Sequence, residues 1–227
     1  MPVALRYVTC ADFPKLAIND VISNEVQTSL PWGDATTETS ITHLGSAEDR
    51  SFERYMVLHQ VERDVDALYN QEAVRRLIEN RRFPAYYERS GGYFLVQAPE
   101  RDVNGMFDRL AKSDPPIRSE HHQIDLMNLM ALGDTTGAYF GNLRIDKVRT
   151  AAVFGTTTVV ESDEWVHYAE HGDLRVLYMR VMQEDGATRT LQLLTDRSVV
   201  LMKDAGEHDN LSFTKELQES IDTLLAS

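Results

Sequence analysis

The chain has 227 residues, 42% of them hydrophobic and 26% charged, with a formal net charge of −13. That length accommodates one domain or two small lobes around a substantial core, and the composition excludes pervasive disorder. A field of that sign repels nucleic acid and anionic membranes at long range, so any polyanion contact requires a local basic patch.

Val3 to Thr9 reads as a first strand ending at a turn-like Ala11-Asp12-Phe13-Pro14, after a start with no charged region and no signal-peptide pattern. The one cysteine, Cys10, excludes an internal disulfide and fits a reducing compartment as a small buried hydrophobe. Residues 28 to 51 are rich in Thr, Ser, Asp and Gly around Pro31 and Trp32 and predict a long loop, with a short strand near Ile41. From Phe52 to Arg82 the spacing of Val61, Val65 and Leu68, then Val74, Leu77, Ile78 and Arg81, predicts helix. Tyr86 to Gln97 predicts a hairpin turning at Ser90-Gly91-Gly92. Pro99 opens a second helix carried by Val103, Met106, Phe107 and Leu110, weakened by Gly105, and Asp114-Pro115-Pro116 breaks the chain.

In the second half, Ser119 is positioned to cap a helix burying Ile124, Met127, Leu129 and Met130 and stopping at Gly133. Thr136 to Leu143, Val148 to Phe154 and Thr157 to Val160 read as short strands, and Ser162 caps a helix that Gly172 ends. Leu174 to Met182, Arg189 to Leu194 and Ser198 to Met202 predict a meander, with a turn at Asp185-Gly186. Phe213, Leu217, Ile221 and Leu224 place one apolar face on a last helix. The predicted class is α+β: a helix-rich N-terminal lobe over 1–116, and a mostly antiparallel C-terminal lobe over 117–227 covered by that helix, the two forming separate lobes or one continuous domain.

Two constellations carry candidate chemistry. Arg75, Arg76, Arg81, Arg82 and Arg89 against Glu79 and Glu88 give a local balance of +3, interleaved with Phe83, Tyr86, Tyr87 and Tyr93. Guanidinium forks bind phosphate and phenol rings stack bases, so this segment reads as a contact surface, while the same arginines on an outer face would simply be solvated or paired. Glu164, His167 and His171 share a helix face, a donor set that suits zinc, without the His-Glu-x-x-His motif. Weaker features are His121-His122 with Glu120 and Asp125, His208-Asp209, and the two tryptophans, Trp32 and Trp165.

Phosphate-loop, dinucleotide-binding and nucleophile-elbow motifs are missing, and the residue two before each of the five lysines is apolar. No cofactor is called for. The leading expectation is a cytoplasmic, non-enzymatic binding or accessory subunit that meets a protein partner and no membrane. Its alternatives are nucleic-acid binding through residues 75–93 and a metal-assisted hydrolase built on Glu164, His167 and His171.

Overall fold

A computed structural model describes residues 1–10, 13, 21–30, 33–114, 116–120, 122–183 and 186–226, without side-chain detail for 21–30, 33–35, 69 and 72. The expectations placed on Ala11, Asp12, Pro14, Pro31, Trp32, Pro115, His121 and Asp185 lie outside the described residues.

In chain order the strands are β1 (Val3–Thr9), β2 (Val21–Leu30), β3 (Gly33–Ser46), β4 (Phe52–Tyr69), β5 (Glu72–Glu88) and β6 (Tyr93–Val96). Helix α1 (Glu100–Leu110) and a 3-10 helix (Leu126–Leu132) follow, then β7 (Asp134–Gly141) and β8 (Ala151–Phe154). The chain ends with α2 (Asp163–His171), β9 (Asp173–Met182), β10 (Thr188–Leu194), β11 (Val199–Leu201) and α3 (Glu207–Ala226). It divides into two units, Val8–Glu120 and Met1–Tyr7 with His121–Ser227, and β1 passes from one to the other.

The fold is therefore mostly antiparallel sheet with a C-terminal helix, and the helix-rich N-terminal half is corrected. Before Glu120 the only helix among the described residues is α1. The segment 52–82, predicted as helix, is the body of β4 and β5, paired residue by residue from Phe52↔Glu88 to Tyr69↔Glu72. Two features disguised it. Buried Tyr55 and Val57 alternate with half-buried Met56 and Leu58, so apolar residues occupy both strand faces and the two-residue period disappears. A bulge between Asp64 and Ala67 then inserts one residue. In a regular strand Val61 and Leu68, seven apart, would face opposite ways. The extra residue returns them to one face, and the spacing imitates a helix turn.

The predicted loop at 28–51 is likewise strand. Thr37, Thr39, Ile41 and His43 alternate along β3 and are all buried. Thr37, Thr39 and Ile41 pair with β2 on one side, and Thr39, Ile41 and His43 pair with β4 on the other. Hydroxyl-rich sequence reads as loop only until β-branching is given its weight. In the Val8–Glu120 unit the sheet runs β2-β3-β4-β5-β6. One face carries Phe13, Ile41, Val57, Phe83, Phe94 and Val96 against Val103, Met106, Phe107 and Leu110 of α1. Gly105, costly inside a helix, sits where a Cβ would lie 2.9 Å from His59 Nε2, so only glycine lets α1 approach β4 this closely.

The other unit orders its strands β1-β11-β10-β9-β7-β8. The registers align Leu5, Val199, Leu193, Leu177 and Ala138 in one row across the sheet, all buried. Leu211, Phe213, Leu217 and Ile221 are the buried residues of α3 that serve the same core. Ser162 caps α2 by accepting from the Trp165 amide at 3.2 Å. The helix predicted from Ser119 is instead a 3-10 turn capped by Asp125, with Met127 exposed, and residues 157–160 form no strand.

Candidate functional site

Past His59, β4 has no β3 partner, because the β3–β4 register ends at Thr39↔His59. On the far side, β5 is paired with β6 only from Ala85 to Glu88. From Gln60 out to the turn at Asn70-Gln71 and back to Asn80, β4 and β5 form a two-stranded arm with no third strand among the described residues. Ten residues of strand at about 3.3 Å each make it roughly 33 Å long. Its turn holds Asn70 at φ 51° and Gln71 at φ 69°, the left-handed pair that a two-residue hairpin of this twist requires.

The register sets Leu68 across from Ala73, on the same face as Arg75, Leu77 and Glu79. Leu68 is 77% exposed and Leu77 45% exposed. Between Gln60 and Asn80 the arm carries Glu62, Arg63, Asp64, Asp66, Glu72, Arg75, Arg76 and Glu79, which sum to −2 in a chain of −13.

The arginines singled out from the sequence separate into two sets. Arg76 lies 3.6 Å from both Glu62 and Asp64. Arg81 donates to buried Asp102 at 2.5 Å and to Glu79 at 3.3 Å, and the Asp102 bond raises its already high pKa. Arg89 meets Glu53 at 2.6 Å, beside a 2.5 Å His43–Glu53 contact. Arg75 and Arg82 are exposed and have no carboxylate within ion-pair distance among the described residues. From Arg75 to Arg89 the strand extends about 45 Å, so the five guanidinium groups are not gathered at one point. Nor are the tyrosines exposed platforms: Tyr86 and Tyr93 are buried, and Tyr87 packs on Phe13 and Phe94 with centroids at 5.2 and 4.8 Å.

Of the metal candidates, Glu164 and His167 are exposed and His171 half-buried on α2. The His167 and His171 rings stand 4.7 Å apart, with His171 Nδ1 donating to the His167 carbonyl at 2.8 Å. No group of three or more His, Cys, Asp or Glu able to hold a metal occurs among the described residues. Trp165 is buried edge-on against Phe140 at 5.3 Å, which makes it an internal anchor. Asp125 is engaged as a helix cap rather than with a histidine.

Sequence reasoning missed a buried polar cluster at the base of the arm. Thr39 Oγ1 lies 2.9 Å from His59 Nδ1, and Arg109 donates to Thr39 Oγ1 at 3.3 Å and to the Glu38 carbonyl at 3.2 Å. Its members come from β3, β4 and α1, far apart in sequence, and only the paired register assembles them. Burial first, then the Arg109 guanidinium, lowers the His59 pKa from 6.5 to about 4. Between those values the unfolded chain binds a proton that folded His59 does not, so stability falls as pH falls through this window. His59→Gln is expected to flatten that limb by the slope of one proton. Urea midpoints at several pH values between 4 and 7 check it, and parallel curves for the two proteins would contradict it.

No protein-family model matches the chain, and no curated protein matches it.

Proposed function

We propose that the protein is a non-enzymatic binding subunit that docks onto a protein partner through the β4–β5 arm. The observation that carries this reading is the arm itself, two strands reaching beyond the sheet with Leu68 and Leu77 exposed on one face. An isolated two-stranded ribbon is marginal in water, and a partner that covers its leucines stabilises it. Burying a side chain as open as Leu68 is worth about 2 kcal/mol. The arm's net charge is −2, with three arginines among five carboxylates, so it contributes only a small share of the repulsion that a chain of −13 exerts on acidic proteins. Polyanion binding is not favoured, because Arg76, Arg81 and Arg89 are already matched by carboxylates and the aromatic rings beside them are packed.

The test is affinity capture with mass spectrometry, comparing the wild type with a Leu68→Asp, Leu77→Asp double variant, each with and without nuclease. Expected is a stoichiometric protein partner held by the wild type regardless of nuclease and lost by the variant, whose circular dichroism is unchanged. A partner retained by the variant, or bound material that vanishes with nuclease, overturns the reading.

A further inference from the structure

Resting on that reading, the geometry points to a second copy of this chain as the partner, joined through the free edge of β5 about a two-fold axis at Leu77. The Pro84 carbonyl accepts from the Gln97 amide at 3.0 Å, and the Glu88 carbonyl accepts from Gly92, so the even-numbered residues of β5 direct their backbone groups away from β4. β5 has no bulge of its own from Glu72 to Glu88. Val74, Arg76, Ile78, Asn80 and Arg82 therefore present a row of N–H and C=O groups along an edge that no described strand covers, the surface on which another strand adds.

Charge and overlap together select the register: an axis at 74 pairs only residues 72 to 76, and an axis at 80 sets residue 75 against residue 85, which β6 already pairs. Antiparallel pairing of two identical edges must match even residues with even, because those carry the outward groups. An axis at residue 75 or 76 sets an arginine against itself, and an axis at 79 sets Glu79 against Glu79. An axis at 78 opposes Arg75 to Arg81. An axis at Leu77 opposes Arg75 to Glu79 twice, Leu77 to Leu77, and Arg76 to Ile78, with no like-charge pair. Arg76 and Ile78 then exchange N–H···O bonds with Ile78 and Arg76 of the second copy. The two Leu77 residues form the intervening non-hydrogen-bonded pair, where side chains approach closest. The half-exposed leucine and the unpaired Arg75 both acquire partners in this one arrangement.

Sedimentation equilibrium and site-specific crosslinking of the full chain test the assembly. The wild type is expected at twice 25.8 kDa. Ile78→Pro removes one outward N–H without touching the β4 ladder, and should raise the dimer dissociation constant by about tenfold or more. Leu77→Cys should give a disulfide-linked dimer when diamide takes the two thiol hydrogens, since Cα atoms about 4.5 Å apart suit the bond. Asn80→Cys should not, its two copies lying about 20 Å apart along the strands. The native Cys10 is buried and adds no background. A wild type that stays monomeric, a dimer indifferent to Ile78→Pro, or crosslinking at Asn80→Cys but not Leu77→Cys each overturns the proposal. If the chain is monomeric while the Leu68→Asp, Leu77→Asp variant still loses a captured protein, the self-pairing fails and the arm's binding role stands; if the arm substitutions alter neither, both fail.

Discussion

Phe94→Ala is expected to cost the Val8–Glu120 unit about 4 kcal/mol, the upper range for emptying a buried aromatic site. Phe94 is 2% exposed and is the ring around which that core is arranged. Phe13 stands edge-on to it at 4.6 Å, Tyr87 tilts against it at 4.8 Å, and Tyr55 and Phe107 lie at 6.0 Å. These neighbours come from β4, β5 and α1 as well as from Phe13, so collapse around the vacancy would require several elements to move together. Relaxation is then small and the cavity persists. Phe94→Leu should recover more than half of the loss, because most of the volume returns while the edge-to-face geometry does not. Chemical denaturation followed by tyrosine fluorescence measures both. A cost below about 1.5 kcal/mol for the alanine variant would mean that the site is not closed as described.

Arg197→Ala is expected to destabilise the other unit by about 3 kcal/mol. Arg197 is 7% exposed, a rare condition for a guanidinium. Its Nε donates to Gln218 Oε1 at 3.0 Å, and its Nη2 donates to the Gln218 carbonyl at 3.3 Å and to Asp222 Oδ1 at 2.7 Å. Gln218 Nε2 returns a bond to the Arg197 carbonyl at 3.0 Å, and the guanidinium lies 4.5 Å over the Tyr7 ring. One side chain thus ties the β10–β11 turn to α3 and to β1. Truncation leaves the buried Gln218 Oε1 without its donor while the bond from Gln218 Nε2 to the residue-197 carbonyl remains, and an orphaned buried acceptor costs more than the lost bond itself contributes. Arg197→Lys should restore less than half, because a single ammonium cannot span Gln218 and Asp222 while also lying flat on Tyr7. Urea midpoints for the two variants decide this, and near-complete rescue by lysine would show that charge, not the planar fork, is what the site uses.

The candidate site was visible in the sequence only as an excess of arginine between residues 75 and 89. Composition located the segment but misjudged its form, since helix and strand place Arg75, Arg76, Arg81 and Arg82 on different faces. Which guanidinium groups meet carboxylates is decided by partners such as Asp102, on α1, and Glu53, on β4. Neither lies close enough in sequence to be inferred from spacing. The exposure of Leu77 was equally hidden, because a helical stripe would have turned it inward.

Where structure follows from contacts between near neighbours, the sequence alone determined the outcome. α1 and its apolar face, the Ser162 cap of α2, the turn before β6 and the apolar residues of α3 all rest on capping, glycine freedom or a single periodicity. Tertiary structure alone decided β3, β4 and β5. Their strand character depends on backbone partners remote in sequence, and a bulge whose extra residue reproduces helical spacing only pairing can reveal. It also decided that β4 and β5 outrun their neighbours, because the length of a strand's partners is a property of the sheet and is not written in the strand.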